Sequence, residues 1–249
     1  TNAGTYESSF AQSYSIKNAE KNVDVTSYYQ SVTLTPGTLK ITKAGGNEVV
    51  PVKDPEDDKE EQDAESKNIT VVYDGASHTV SATATQAGST IYYSTADPEG
   101  EDFDDSSWTE TAPSRTDVGT TTFWIKATNP NYEDVVSESS YTLEVTKREI
   151  TVTVANAEDV VYDGESHTGV TEYSFDNVVE GQVATITYTA ATGTEVDTYT
   201  GSYGEDLKVV IPGAEGEEGT DVTGNYNLTT KTPGTLKITK AGGNEVVPV

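Results

Sequence analysis

Thr35 to Val52 reads TPGTLKITKAGGNEVVPV, and Thr232 to Val249 repeats those eighteen letters without a change, 197 residues further on (232 − 35). The same register matches Asp24-Val25-Thr26 with Asp221-Val222-Thr223, and Tyr29 with Tyr226. A weaker copy lies between them, Tyr141-Thr142-Leu143-Glu144-Val145-Thr146-Lys147. Apolar and polar residues alternate in each copy (Leu39/Ile41, Leu143/Val145, Leu236/Ile238), which is the period of a half-buried strand. Each copy ends at a lysine: Lys43, Lys147 and Lys240. The stretch therefore reads as the closing strand of a β-module used three times.

Composition narrows the function classes. The 249 residues carry 42 acidic against 15 basic side chains, a net charge of −27. Phosphate backbones need a cationic surface, so nucleic acid is excluded as a partner, and anionic membrane surfaces are disfavoured. No stretch approaches the roughly 20 apolar residues of a membrane span, so no membrane insertion is expected. With no cysteine, neither a disulfide framework nor a thiolate metal site is available. Leu, Ile, Val and Phe number 47, under a fifth of the chain, which with this charge is a composition associated with disorder. Fifteen tyrosines and the alternating Val/Thr/Tyr runs argue instead for sheets with thin cores.

Read in order, residues 1–43 form the C-terminal half of a module. Thr1-Asn2-Ala3-Gly4-Thr5-Tyr6 resembles Thr194-Glu195-Val196-Asp197-Thr198-Tyr199 and Thr116-Asp117-Val118-Gly119-Thr120. Each of these leads to a tyrosine-containing loop (Tyr29, Tyr226, Tyr132) and then to the closing strand. The front half of that module is absent from the chain, and excision from a longer secreted protein is the expected reason. Residues 44–68 read as an acidic linker: Ala44-Gly45-Gly46-Asn47 is turn-rich, and Lys53 to Lys67 holds eight acids and three lysines. A short helix opening at Asp54-Pro55 is the alternative for that run. Residues 69–148 form a second module, with Val71-Val72-Tyr73 entering an Asp74-Gly75 turn and Phe123-Trp124-Ile125-Lys126-Ala127 as a central strand. Residues 149–240 form a third module on the same plan, joined directly through Lys147-Arg148, and 241–249 begin a further linker. Two kinds of joint are thus expected, one spaced and one direct. The fold class is all-β: tandem Ig-like β-sandwich modules in an elongated array.

Val-Val-Tyr-Asp-Gly-x-Ser-His-Thr occurs at 71–79 and again at 160–168. Together with the downstream Gly-Thr motif, the Asn-Tyr turn and the closing Thr-Leu-x-(Ile/Val)-Thr-Lys strand, it resembles the tandem tyrosine-aspartate-glycine repeats, bacterial Ig-like modules of Gram-positive cell-surface adhesins. The resemblance covers most of the chain outside 44–68. It implies a non-enzymatic β-sandwich stalk, extracellular and attached to the bacterial cell wall, that spaces a distal binding domain. Its partners would be neighbouring modules of the same chain. The alternative is an adhesive module whose loops contact host glycan or extracellular protein.

No residue set points to catalysis. His78 and His167 each follow an aspartate by four residues (Asp74, Asp163), and their repetition reads as one structural corner used twice, not as a base or a metal ligand. The acidic loops Glu99–Asp105 and Glu215–Asp221 leave a Ca²⁺ reading open, although neither matches the EF-hand loop pattern. Catalytic, cofactor and metal residues are accordingly expected to be none. Among the aromatics Trp108, Trp124, Tyr92 and Tyr93, Trp124 reads as core and Trp108 as the exposed candidate for a glycan platform. Lys–Asn/Asp isopeptide crosslinks would suit a cysteine-free stalk, but no spacing singles out a pair.

Overall fold

The computed structural model of the chain describes residues 2–10, 13–52 and 68–243. Among these, regular structure is extended strand, interrupted only by one-turn 3-10 segments at Thr26–Tyr28, Asp105–Ser107 and Thr223–Asn225. The all-β expectation holds. Two compact units result: Thr1–Val52 with Ser81–Thr111 and Trp124–Ser140, and Lys53–Val80 with Ala112–Phe123 and Tyr141–Val249. This division does not follow the sequence modules, since residues 69–148 contribute to both units.

In the first unit, Trp124–Thr128 pairs antiparallel with Thr90–Ser94, setting Ile91 opposite Ala127 and Tyr93 opposite Ile125. Val135–Val136 pairs along the other edge. Period two sends Ile125, Ala127 and Tyr93 into the core. Trp124 shares its parity with Lys126 and is only half-buried, so it is not the core residue expected from its apolar neighbours. A second difference concerns 44–68. Ala44 bridges Tyr132 in parallel fashion, and Val49–Val52 pairs antiparallel with Ser81–Ala84. The described part of the expected linker is therefore paired backbone. Pro51 fits there because an edge strand can lack one N–H donor. The acid-rich run 53–67, with both readings of it, and residues 244–249 lie outside the described residues.

In the second unit, Gly119–Phe123 pairs antiparallel with Tyr141–Thr146, which also runs parallel to Asn68–Val72. Arg148–Thr153 lies between Ser174–Asp176 and a parallel neighbour, Tyr226–Thr232. The closing strand Thr235–Thr239 is flanked by Val160–Val161 and Thr198–Thr200. One core cluster contains Tyr73, Val145, Ile150, Val209, Val222 and Tyr226. Another is formed by Ala191, Leu236 and Ile238.

The three module copies share one register. Thr5 faces Lys40, Thr120 faces Glu144 and Thr198 faces Lys237. Their environments nevertheless differ. Leu236 sits on a strand flanked on both sides and is 1% exposed, whereas its letter-identical counterpart Leu39 is 59% exposed. Removing buried methylenes loses transfer energy and leaves a cavity. Leu236→Ala should therefore destabilise by about 2–5 kcal/mol, and Leu39→Ala by less than about 0.5 kcal/mol. Urea unfolding of the two variants checks this; equal losses would mean that the two strands are equally covered.

Candidate functional site

The most developed arrangement of polar and apolar groups in the second unit is the joint where the closing strand of 69–148 enters 149–240. Its centre is Asn225, in the one-turn 3-10 segment just before Tyr226, and 5% exposed. A buried primary amide is costly unless both its ends are bonded. Asn225 Oδ1 accepts the Val118 N–H at 2.8 Å, and Nδ2 donates to Asp117 Oδ1 at 2.8 Å. The receiving loop is shaped by Gly119, at φ +141°, where a Cβ would collide with the Arg115 guanidinium. Arg115 Nη2 donates to the Val118 carbonyl, which leaves the Val118 N–H directed at Asn225.

With that loop fixed, Arg148 falls opposite Tyr226 and begins the parallel pairing. Its guanidinium donates from Nε and Nη2 to the Asn177 carbonyl and Oδ1, both at 2.7 Å. Asn177 adopts a left-handed backbone (φ 66°), which its short polar side chain tolerates. Beneath these bonds the Tyr73 and Tyr226 rings meet edge to face, with centroids 5.4 Å apart. Gln182 closes both hydroxyls: its Nε2 donates to Tyr73 Oη at 2.9 Å, and its Oε1 accepts from Tyr226 Oη at 2.7 Å. Burial pushes the Tyr226 phenol up from its ordinary value. The joint is apolar inside and hydrogen-bonded around it, with the Arg115 Nε left as a buried donor without a partner among the described residues.

The first unit contains the same clasp. Asn131 Oδ1 accepts the Ala3 N–H at 2.8 Å, and Nδ2 donates to Asn2 Oδ1 at 3.2 Å. Ala44 N–H donates to the Asn131 carbonyl and Glu133 N–H to the Ala44 carbonyl, each at 2.8 Å. Lys43 and Asp134 add a solvent-exposed ion pair at 2.8 Å. The turn is braced from behind by Asn129, whose Oδ1 accepts the Asn131 N–H. The two places share one pairing: the residue after the closing lysine, Ala44 or Arg148, lies parallel to the tyrosine of an Asn-Tyr turn, Tyr132 or Tyr226.

The histidines sit in structural corners. His78 Nε2 lies 2.9 Å from Asp74 Oδ1, and His167 Nε2 lies 2.9 Å from Asp163 Oδ1. The same carboxylate oxygens accept the Ala76 and Glu165 N–H groups, forming Asx turns around Gly75 and Gly164. Burial alone would raise the Asp74 carboxyl, but the Ala76 N–H and His78 outweigh it and hold it below the ordinary 3.8. The Glu165 N–H, and then His167, lower Asp163. In the acidic loop 99–105, Asp104 caps the Ser106 N–H, and neighbouring Asp97 accepts from Glu99. Among the described residues, no three His, Cys, Asp or Glu side chains come together as a metal site. Trp108 stacks edge-on against Phe103 and lies under the Lys126 ammonium, so it fastens its own loop. Lysine pairs such as Lys237–Asp159 and Lys231–Glu205 are ion pairs near the surface.

The clasp residues Asn2, Asp117, Asn131 and Asn225 escape sequence reasoning, because short polar residues in stretches with glycine or proline read as turn formers. One signal was present: the Asn-Tyr turn and the Thr-x-x-Gly-Thr loop recur together.

No family model matches the chain, and no curated protein does. Among solved structures it is similar to Drosophila N-cadherin EC1-3, at 13% identity and a TM-score of 0.21, covering 78% of this chain and 68% of that one. Clostridium thermocellum CbhA fibronectin(III)-like modules are similar at 12% identity and a TM-score of 0.21, covering 72% and 93%. Likenesses this faint carry no argument, and the all-β architecture stands on the strand pairing described above. Among the described residues, no helix is long and apolar enough to cross a membrane.

The aspartate corners set an acid dependence. Their folded-state values lie below the unfolded ones, so their stabilisation is complete above about pH 4 and is lost as pH falls through the folded-state values. Asp74→Asn combined with Asp163→Asn keeps the acceptor oxygens and removes the titration. The melting temperature of this variant should fall less steeply below about pH 4 than that of the parent chain; identical acid limbs would rule out the corners as contributors.

Proposed function

We propose that the chain is a non-enzymatic spacer from the repeat region of a bacterial cell-surface, adhesin-like protein. On this reading it is extracellular, anchored through the rest of its protein to a Gram-positive cell wall, and it holds a distal binding domain away from that wall. The observation that carries the proposal is the clasp. A segment that transmits position along a surface protein needs joints resisting bend and twist. Here the joint in the second unit combines a doubly bonded asparagine, a parallel strand pair and buried Tyr73 and Tyr226. The tyrosine-aspartate-glycine motif at both 71–79 and 160–168 supports the same reading. The net charge of −27 would keep neighbouring chains apart at the surface.

A second reading has one observation in its favour. Half-buried Trp108, with Lys126 over its ring, is an aromatic and cationic feature of the kind that sugar or protein ligands use. On that reading the loops bind host glycan or extracellular protein. A glycan-array and host-matrix screen separates the two, since the spacer reading expects no specific hit and a hit lost in Trp108→Ala favours adhesion.

Joint stiffness is directly measurable because the chain has no cysteine of its own. Spin labels on Thr70→Cys and Thr200→Cys, both exposed and both in the second unit, should report one narrow distance distribution. Asn225→Ala leaves the Val118 N–H and the Asp117 carboxylate without their partner, a loss of about 1–3 kcal/mol, and together with Gln182→Ala it should broaden the distribution. A distribution already broad in the parent chain would count against a stiff joint.

A further inference from the structure

The clasp has a receiving loop and a donating turn, and among the described residues there is one receiving loop more than the turns fill. The third copy is Glu195-Val196-Asp197-Thr198-Tyr199. It is built like the occupied first copy: Tyr6 Oη donates to the Asn2 carbonyl, and Tyr199 Oη donates to the Glu195 carbonyl, each reaching four residues back. Thr5 faces Lys40 as Thr198 faces Lys237. The exit path is also the same. Gly46 and Gly243, at the ends of identical Lys-Ala-Gly-Gly stretches, take φ of +86° and +95°. Two residues depart from the pattern: the longer Glu195 stands where the other loops have Asn2 and Asp117, and Asp197 stands where they have Gly4 and Gly119 at φ +153° and +141°, without sharing that positive φ, its carboxylate accepting the Thr198 N–H.

What differs is the cover. Tyr73 and Tyr162 hold the same motif position, and their N–H groups bond equivalent closing-strand carbonyls, Thr146 and Thr239. Tyr73, under the Asn225 joint, is 1% exposed, but Tyr162 is 37% exposed. Val118 packs against the joint core, whereas Val196 is 42% exposed. Lys240–Gly243 and Lys43–Gly46 are alike in being exposed and differ in bonding: Lys43 and Ala44 engage Asp134, Asn131 and Glu133.

We infer that the Glu195–Val196 loop, together with Tyr162 and Lys240–Gly243, is the receiving half of a module joint, and that it fits a β-module bearing an Asn-Pro-Asn-Tyr-Glu-Asp turn like that of residues 129–134. The occupant is specified by the first unit, where the letter-identical exit stretch already holds that turn. In the filled joint, the turn's first-unit bonds are repeated: its second asparagine accepts the Val196 N–H and donates to the Glu195 carboxylate, Ala241 pairs beside its tyrosine, and Lys240 meets its terminal aspartate.

This deepens the spacer reading and fails separately from it, because a ligand found in the glycan screen leaves the clasp measurement unchanged. The test extends the whole chain, residues 1–249, with a second copy of residues 53–249, so that the second unit is complete in both copies, and reads amide hydrogen exchange, with Val196 read in the first copy. In the unextended chain, the Ala3 and Val118 N–H groups should exchange slowly and Val196 fast. In the extended chain, Val196 should slow by about tenfold or more. Asn131→Ala in the appended copy alone should return Val196 to fast exchange while the appended Trp124–Thr128 strand amides stay protected. Fast Val196 exchange in the extended chain, with those appended strand amides protected, overturns the inference.

Discussion

The amide of Asn225 is the constraint on which the second unit depends. Taken out of water, it has one acceptor and one donating end to satisfy, and both are met from a loop more than a hundred residues earlier, at Val118 and Asp117. Magnitudes divide the labour. Burying side chains such as Ile150, Val145 and Val209 contributes about 1.5–3 kcal/mol each, whereas a single neutral hydrogen bond nets only about 0.5–1.5 kcal/mol. The apolar core therefore supplies most of the free energy. The clasp supplies register, because a shift of one residue would leave a buried amide unbonded and turn alternating side chains to the wrong face. With Arg148 set opposite Tyr226, Tyr73 and Tyr226 meet edge to face and Gln182 can reach both hydroxyls.

Charge explains why the joints are built on amides. A chain with 42 acidic and 15 basic side chains repels itself wherever two surfaces approach. Exposed ion pairs such as Lys43–Asp134 contribute about 0–1 kcal/mol and weaken in salt. A neutral asparagine sidesteps both problems. The scarce cations are placed accordingly: both arginines, Arg115 and Arg148, act at the second-unit joint, one shaping the receiving loop and the other binding Asn177. Arginine suits these sites because its planar fork serves several acceptors at once without losing its charge.

Much of the fold was legible because period-two alternation and repetition are local signals. Closing strands, turn glycines and the shared register of Thr5, Thr120 and Thr198 all follow from aligning the copies. The misreadings have physical causes. Ala44-Gly45-Gly46-Asn47 has turn chemistry, yet Ala44 is paired to Asn131 and Glu133 from outside its own neighbourhood. Val49–Val52 contains a proline, which argues against a central strand but is acceptable in an edge strand. Trp124 was judged by its apolar neighbours, when the parity it shares with Lys126 decides its face. The clasp is least legible of all, because an asparagine before a tyrosine serves a local turn and a distant amide bond with the same letters.

The two eighteen-letter copies make the limit concrete. Leu39 and Leu236 share sequence, strand and register, but only Leu236 lies on a strand with neighbours along both edges. Burial is thus a property of what arrives beside a strand, and it is independent of the clasp, since Leu39 is exposed in the unit whose clasp is filled while Leu236 is covered by Val160–Val161 and Thr198–Thr200. The two halves of the clasp are each local: an asparagine before a tyrosine on one side, and an acidic or amide residue followed by a small apolar one on the other. Modules can therefore vary their interiors without losing the joint. The residue facing Asn Nδ2 is where joints differ, since Asp117 accepts as an anion and Asn2 as a neutral amide, and a charge-assisted bond is about twice as strong as a neutral one. One side chain thus sets the strength of the amide bond at each clasp, while the backbone pairing beside it stays the same.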